Sequence, residues 1–197
     1  MISEEEMTEV KKIQGSIRGT AFQTDAIFIK AHYDAEGLNH VESALAENGF
    51  KLKFDGIKAM EWLPLSARAL EMLLLKDIFR FEEKDFYKMG EAGSKQSFII
   101  RLLAKFFLSP ETVFKSAPIY WSKYYSVGKI LPVVFNEGER FVELRLVDFK
   151  AHVYYCYYLA GFFRRLVQHN YPKDEVKVEE TKCVFRGDDC HEYKFWW

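Results

Sequence analysis

Residues 131–146, LPVVFNEGERFVELRL, decide how the rest of this sequence is interpreted. Two short apolar runs lie on either side of a segment that contains Asn136 and Gly138, residue types that favour turns. The second run, 141–146, alternates imperfectly between apolar and charged side chains. We therefore predict a partly exposed β-hairpin in this region.

A long helix and a second hairpin follow the first. Residues 151–169 predict the helix, which ends at Asn170-Tyr171-Pro172 because proline cannot continue it. Residues 176–185 and 190–197 predict two strands, joined by a turn at residues 186–189. The C-terminal third therefore has the order hairpin, helix, hairpin.

The sequence before residue 131 predicts helices, because apolar residues recur there at helical spacing between stop signals such as Gly37, Asn48-Gly49 and Pro110. The predicted segments are 13–33, 38–47, 67–79, 86–89, 97–108 and 111–127, the last broken near Pro118. Residues 97–108 are apolar nearly all round, which is typical of a buried helix.

This order of elements predicts the α+β class. We expect N-terminal helices packed on an antiparallel sheet made of two β-hairpins that flank a long helix. A chain of 197 residues suits one sizeable domain, and no stretch resembles an interdomain linker. We therefore expect a single domain over 1–197, with a mainly helical part, 1–130, and a hairpin part, 131–197, that carries the cysteine site.

Composition excludes several classes of function. Lys and Arg number 28 against 29 Asp and Glu, so no basic surface for a nucleic-acid partner is expected. The longest apolar stretch, 97–108, is too short and too charged to span a bilayer. The N-terminus is acidic and unlike a secretory signal, which predicts a cytoplasmic protein. No phosphate-binding loop or serine nucleophile elbow is present, so we do not expect catalysis.

The three cysteines are the candidates for a metal site. Cys183 and Cys190 flank the turn of the second hairpin, and Cys156 lies in the long helix. In a reducing compartment clustered cysteines bind metal more often than they form disulfides. Zinc prefers about four ligands, which Glu180, three residues before Cys183, could complete. The spacing matches no common zinc motif, so three separately buried cysteines are the competing interpretation.

Strand geometry leaves the hairpin ligands open. A two-residue loop at Gly187-Asp188 places Cys190 on the face of Cys183, whereas a three-residue loop places His191 there. A disulfide between the two cysteines is disfavoured, because diagonal neighbours lie about 7–8 Å apart.

Glu180 poses a second question of geometry. It has the opposite parity to Cys183 along a strand, so its side chain reaches the site only if the chain bends or bulges between them. Glu179, which has the same parity as Cys183, is the alternative ligand.

The C-terminal third contains four short sequence motifs: Glu180-Thr181-Lys182-Cys183, Gly187-Asp188, Cys190-His191-Glu192-Tyr193, and Cys156 followed five residues later by Gly161. Together they resemble the 4-vinyl reductase-type small-molecule-binding domain, which is also the sensor of phenol- and toluene-responsive activators. The match is specific over roughly residues 153–197.

The resemblance implies a structural zinc site at Cys156, Glu180, Cys183 and Cys190. Because one residue fewer than usual separates the turn glycine from Cys190, His191 stands where the family has its last cysteine and is the alternative ligand. The fold that the resemblance implies is that of TRAPP transport-particle subunits, usually as a homodimer. Four protein ligands would leave zinc no open position, so the metal is expected to be structural.

Aromatic side chains make up 17% of the sequence and predict an apolar ligand pocket, although filling the core is their commoner role. The candidate lining residues are Trp62, Phe98, Phe106, Trp121, Tyr124, Tyr154, Tyr157 and Tyr158. Haem is the alternative occupant. Nitric-oxide-sensing haem domains carry a Tyr-x-Ser-x-Arg motif, which residues 124–128 do not reproduce, so we expect zinc and not haem.

The expected function is a sensor or regulatory domain that binds a small hydrophobic or aromatic molecule and acts through a separate signalling partner. A non-catalytic assembly subunit of TRAPP-like fold is one alternative. An accessory protein in tetrapyrrole chemistry is the other.

Overall fold

The computed structural model describes residues 2–96 and 109–197, and it confirms the predicted α+β class. The predicted buried helix at 97–108 lies outside the described residues. No helix within the described ranges has the length and apolar character needed to cross a membrane.

Four helices precede residue 97: α1 (Glu4–Lys11), α2 (Thr20–Glu47), α3 (Leu65–Phe79) and α4 (Glu83–Gln96). Helix α2 is kinked at Asp34, which has a φ of 58°. The Asp34 carboxylate accepts hydrogen bonds from the backbone N–H groups of Glu36 and Gly37, at 2.7 and 3.2 Å, and so caps the second half of the helix. The break predicted at Gly37 therefore falls three residues earlier, where a side-chain oxygen is available.

A short strand, β1 (Ser16–Arg18), lies where the sequence predicts the start of a helix. It pairs antiparallel with β2 (Trp62–Pro64), and Ile17 also forms a bridge with Tyr125. The backbone N–H of Ser16 donates to the hydroxyl of Ser126 at 2.7 Å. The N-terminal strand is thus held by two segments that are distant in sequence.

Helix α5 (Pro110–Tyr124) follows the undescribed segment. Ser109 caps its first turn by accepting from the N–H of Thr112 at 3.2 Å. Pro118 lies inside the helix without ending it, so the break predicted near Pro118 is wrong.

The C-terminal part has the predicted order of hairpin, helix and hairpin. Its elements are β3 (Lys129–Asn136), β4 (Phe141–Val147), α6 (Val153–Asn170), β5 (Lys177–Lys182) and β6 (His191–Trp196). The four strands form one antiparallel sheet in the order β3-β4-β6-β5, and α6 contacts both β5 and β6.

Helices α4 and α6 cross at two glycines. A Cβ on Gly161 would lie far inside van der Waals contact with the carbonyl of Tyr87, and a Cβ on Gly90 would collide with the carbonyl of Tyr158 in the same way. The two backbones therefore touch with no side chain between them. This crossing fixes α6, which carries both Cys156 and Tyr158.

Candidate functional site

Four potential metal ligands meet where α6 packs on the second hairpin. One ligand atom each from Cys156, Glu180, Cys183 and His191 lies within 4.8 Å of all the others, and we call these residues the four-residue cluster. The two sulfur atoms are 3.5 Å apart, and Cys156 Sγ lies 3.6 Å from His191 Nδ1. Ligand atoms around a tetrahedral ion are separated by roughly 3.4–3.8 Å when metal–ligand bonds are ~2.0–2.3 Å.

A bulge in β5 brings Glu180 into the cluster. The pairing with β6 shifts between Glu180, opposite Tyr193, and Lys182, opposite Glu192, so one extra residue stands on the β5 side. The bulge reverses the alternation of side chains along β5, so Glu180 comes to the same face as Cys183. This is the bulge that the sequence predicted to be necessary for Glu180 to reach the site. Glu179 is exposed and pairs with Lys194, so the alternative ligand is not brought in.

His191 is oriented for coordination through Nδ1. Its Nε2 lies 3.1 Å from the carbonyl oxygen of Phe149, which can accept from Nε2–H. In that tautomer the lone pair of Nδ1 can coordinate an ion. Nδ1 is 2.9 Å from the Glu180 carboxylate. Because His191 and Cys183 are only 2% exposed, the cluster is shielded from water.

Cys190 is buried but lies outside the four-residue cluster. A 3-10 turn over Val184–Arg186 and a left-handed Gly187 lengthen the loop, and β6 begins only at His191. The Asp188 carboxylate accepts from the N–H of Cys183 at 2.8 Å and pins the loop. The cluster therefore contains His191, the alternative ligand, in place of Cys190.

The Cys156 thiol is protonated without a bound cation. Burial, and then the negative charge of Glu180, raise the pKa of this thiol above its ordinary value. A metal ion would reverse this effect, because thiols coordinate as thiolates and release their proton on binding.

A second feature is an apolar cleft lined by residues of α2 to α6, β3 and β4. Its cavity volume is about 160 Å³, and the cleft opens to solvent. Of the predicted lining residues, Trp121, Tyr124 and Tyr158 line it. Phe98 and Phe106 lie outside the described residues.

Three predicted lining residues lie elsewhere. Trp62 is 42% exposed and stacks under the guanidinium of Arg18. The Tyr154 ring stacks on Phe86, and the Tyr157 hydroxyl donates to the carboxylate of Glu83 at 2.6 Å. Alternate residues of a helix face different sides, so a run of tyrosines cannot line one pocket.

The cleft also contains an ion pair that the sequence interpretation missed. Arg68 lines the cleft although it is only 1% exposed, and its Nε donates to the Asp25 carboxylate at 2.7 Å. Glu71, one turn further along α3, is fully buried, and neither of its oxygens has a hydrogen-bond partner among the described residues. The signal was present, because Arg68 and Glu71 are the two charges in the otherwise mostly apolar run 65–75 of α3.

One cleft tyrosine has an unsatisfied hydroxyl. Tyr171, which follows α6, lines the cleft with a buried hydroxyl that has no partner among the described residues. Its ring stacks on Trp197 with centroids 3.9 Å apart. Burial, reinforced by Glu137 and Asp174, raises the pKa of Tyr171 to about 12, so this phenol is protonated at neutral pH.

The fold is that of H-NOX domains. An H-NOX protein from S. oneidensis in the Fe(II)NO ligation state is similar with a TM-score of 0.68, at 12% identity over 91% of this chain and 98% of that one. An Fe(II) unliganded H-NOX mutant from K. algicida has a TM-score of 0.65, at 10% identity over 91% of this chain and 96% of that one. An H-NOX domain from Shewanella oneidensis in the Fe(II)CO ligation state has a TM-score of 0.66, at 11% identity over 91% of this chain and 98% of that one. No protein-family model and no curated protein matches the sequence.

These likenesses overturn several predictions. The resemblance to 4-vinyl reductase-type domains and the TRAPP-like arrangement are wrong, because the similar structures are H-NOX domains. The predicted binding of a hydrophobic molecule with a structural zinc site is likewise wrong, and neither alternative is supported. The prediction of zinc and not haem is also wrong. The similar structures include ones whose subjects are haem redox potential and haem distortion.

The similar structures include haem proteins, and the cleft of this chain fits a haem in part. Its aromatic walls, among them Trp121 and Phe163, suit the apolar faces of a porphyrin. None of the described cleft residues is His, Cys or Met, so the only iron-coordinating atoms among them are tyrosine phenol oxygens. Tyrosine is an axial haem ligand in some proteins. Phenol ligation is therefore available from these residues, and imidazole ligation is not.

Residues 124–128 match the Tyr-x-Ser-x-Arg spacing only at Tyr124 and Ser126, and Gly128 stands where an arginine would complete it. Gly128 has a φ of +75°, and a Cβ there would lie 2.9 Å from Cβ of Phe149. An arginine at residue 128 would require both a strained backbone and displacement of Phe149.

Proposed function

We propose that this chain is a sensor domain that binds haem in the apolar cleft. The observation that carries the proposal is an aromatic-lined cleft in a chain whose fold, over 91% of its length, is that of H-NOX domains. Haem, if bound there, would supply an iron able to bind a diatomic gas. The chain itself supplies the apolar walls and the phenol groups.

Tyr171 is the residue that we assign as the iron donor. Support comes from its buried hydroxyl, which lies among cleft-lining residues and has no partner in the described part of the chain, since such a group is costly unless it is used. Its stacking on Trp197 fixes the ring. Because the pKa of free Tyr171 is about 12, the phenol must lose its proton to coordinate, and haem affinity is expected to rise with pH.

Titration of the purified full chain with ferric haem, followed by absorbance, tests the proposal. We expect saturable binding of one haem per chain, and a further spectral change when the reduced complex meets nitric oxide. Tyr171→Phe is expected to keep the porphyrin but alter the iron spectrum. Tyr87→Phe removes a half-buried phenol outside the cleft and is expected to change neither. Absence of one-to-one binding would contradict the proposed function.

We also propose that the four-residue cluster binds one divalent transition-metal ion. Two sulfurs, one imidazole nitrogen and one carboxylate at near-coordination spacing favour a thiophilic ion of that class. The bond between His191 Nε2 and the Phe149 carbonyl supports it, because metal-bound histidines almost always have such a partner. The ion would join α6 to both strands of the second hairpin.

Cobalt(II) provides the test, because thiolate coordination gives it a visible absorption band. We expect stoichiometric uptake by the full chain, weakened by Cys156→Ser or His191→Ala. Cys190→Ser changes a buried cysteine outside the cluster and is the matched control. If Cys190→Ser abolishes binding while His191→Ala does not, Cys190 and not His191 is the fourth ligand.

A further inference from the structure

Arg68 is the only charged side chain among the cleft-lining residues that the structure describes. It is 1% exposed, and two of its nitrogens are held by Asp25, Nε by Oδ2 at 2.7 Å and Nη2 by Oδ1 at 3.1 Å. A guanidinium without such support would swing or leave the apolar interior. The ion pair therefore fixes one polar wall in a cleft that is otherwise mostly apolar.

Two tyrosines complete this wall. The guanidinium carbon of Arg68 lies 4.3 Å from the ring centroid of Tyr158, and the charge of Arg68 acts on the pKa of the Tyr125 phenol. Burial, the largest effect, raises the pKa of both phenols and keeps them protonated. We call Arg68, Tyr125 and Tyr158 the Arg68 wall.

The Arg68 wall offers hydrogen-bond donors. A guanidinium has five N–H groups, of which Asp25 takes two in this structure. Glu71 takes none, since its oxygens are unpartnered among the described residues, and burial raises its pKa well above the ordinary value, which favours the uncharged carboxyl. The other guanidinium N–H groups and the phenol O–H groups beside them are the donors that the Arg68 wall can turn towards an acceptor.

We propose that the Arg68 wall binds a carboxylate of the molecule that occupies the cleft. The inference rests on the proposed function, in which the occupant is haem, a flat apolar ring with two carboxylate arms. A carboxylate removed from water needs several donors, preferably charged ones. Within the described lining, the Arg68 wall is the place that supplies a charged donor.

The experiment compares ferric protoporphyrin IX with its dimethyl ester, which keeps the ring and iron but lacks both carboxylates. Affinity of the full chain for each is measured by absorbance titration. We expect at least about tenfold tighter binding of the diacid, the loss typical of a missing charge-assisted hydrogen bond. Tighter binding of the diacid supports both the proposed function and the subsite.

The other outcomes are distinct. Equal affinity for the two compounds overturns the subsite and leaves haem binding standing. Failure to bind either compound overturns the proposed function and the subsite together.

Variants locate the preference within the molecule. Arg68→Gln alone would leave Asp25 buried and unpaired, so the paired variant Asp25→Asn/Arg68→Gln is used to keep the interior neutral. It is expected to bind diacid and ester equally. Arg80→Gln, at the exposed end of the same helix, is the matched control and is expected to keep the tenfold preference. Retention of the preference in the paired variant would overturn the role of Arg68.

Discussion

The imidazole Nδ1 of His191 lies 2.9 Å from Oε1 of Glu180, across the two strands of the C-terminal hairpin. The contact exists because β5 bulges between Glu180 and Lys182. A carboxylate and an imidazole nitrogen at this distance, beside two sulfurs, form the oxygen and nitrogen side of the four-residue cluster.

Glu180→Gln is expected to reduce the stabilisation that a bound ion gives to this fold. An ion present at 100 times its dissociation constant stabilises by about 2.7 kcal/mol, and a neutral amide is a much poorer ligand. Thermal unfolding with and without chelator measures the difference. Glu179→Gln, the exposed neighbour, is the control and should retain the full shift. Equal shifts in both variants would exclude Glu180 as a ligand.

His152→Asn is expected to stabilise the protein below about pH 6. Burial lowers the pKa of His152 to about 4, against a small opposing effect of Glu6 and a small reinforcing effect of Lys76. The folded state therefore binds fewer protons than the unfolded state between pH 4 and 6.5, and the free energy of unfolding falls as pH falls, by at most about 1.4 kcal/mol per pH unit.

Asparagine can take over the structural role of His152 without titrating. The imidazole Nδ1 of His152 caps α6 by accepting from the N–H of Tyr154 at 3.3 Å, and asparagine is a good cap. Urea unfolding at pH 5 and pH 7 checks this expectation. A constant difference between variant and parent across that range would exclude a titrating His152.

Glu71→Gln is expected to stabilise the protein increasingly as pH rises. Burial, and then Asp25, raise the pKa of Glu71 well above its ordinary value, so the folded state holds a proton that the unfolded state releases. The free energy of unfolding of the parent therefore falls above about pH 4.5, by at most about 1.4 kcal/mol per pH unit until Glu71 ionises. The Glu71→Gln variant has no carboxyl at this position, so its free energy of unfolding does not fall for this reason.

The measurement is the free energy of unfolding in urea at pH 5, 6, 7 and 8. Because Asp25 and Glu71 interact, the difference between the parent and Glu71→Gln reports the loss of the Glu71 carboxyl together with its effect on Asp25. Glu47→Gln, at an exposed position, should follow the parent at every pH. A difference between Glu71→Gln and the parent that does not change with pH would contradict the assignment.

Gly161→Ala is expected to destabilise the fold by about 1–3 kcal/mol, the cost typical of overpacking. Its Cβ would press on the carbonyl of Tyr87, which is backbone and can move only with α4. Gly56→Ala has open space around the new methyl and is the control. Denaturant unfolding compares them, and a neutral Gly161→Ala would show that the helices can separate without loss.

The sequence predicted those elements whose signals are local. The β3–β4 hairpin and α6 have their turn and stop signals within a few residues, and the structure has them close to the predicted positions. Strand β1 has no local signal, since three residues become a strand only by pairing with β2 and bridging to Tyr125. The overall fold was misassigned because the resemblance covered only residues 153–197.

Three residues of the predicted site, Cys156, Glu180 and Cys183, lie together in the structure, whereas the choice of the fourth depended on a register that the sequence left open. Parity arguments required a bulge for Glu180, and β5 has it. They could not decide between Cys190 and His191, because the 3-10 turn and left-handed Gly187 add residues to the loop that a turn count does not include. The Asp25–Arg68 pair joins residues 43 apart on different helices, so their contact could not be read from the sequence of either helix.

Strand β1 has a consequence for how the chain is assembled during synthesis. The Ser16 N–H is bonded to a hydroxyl 110 residues further along, and Ile17 bridges to Tyr125. Strand β1 therefore cannot complete its contacts until residues 125 and 126 have left the ribosome. Non-local pairing of this kind slows folding. The strand thus waits for a partner made more than 100 residues later before Ile17, which is 1% exposed in the finished fold, gains its full set of contacts.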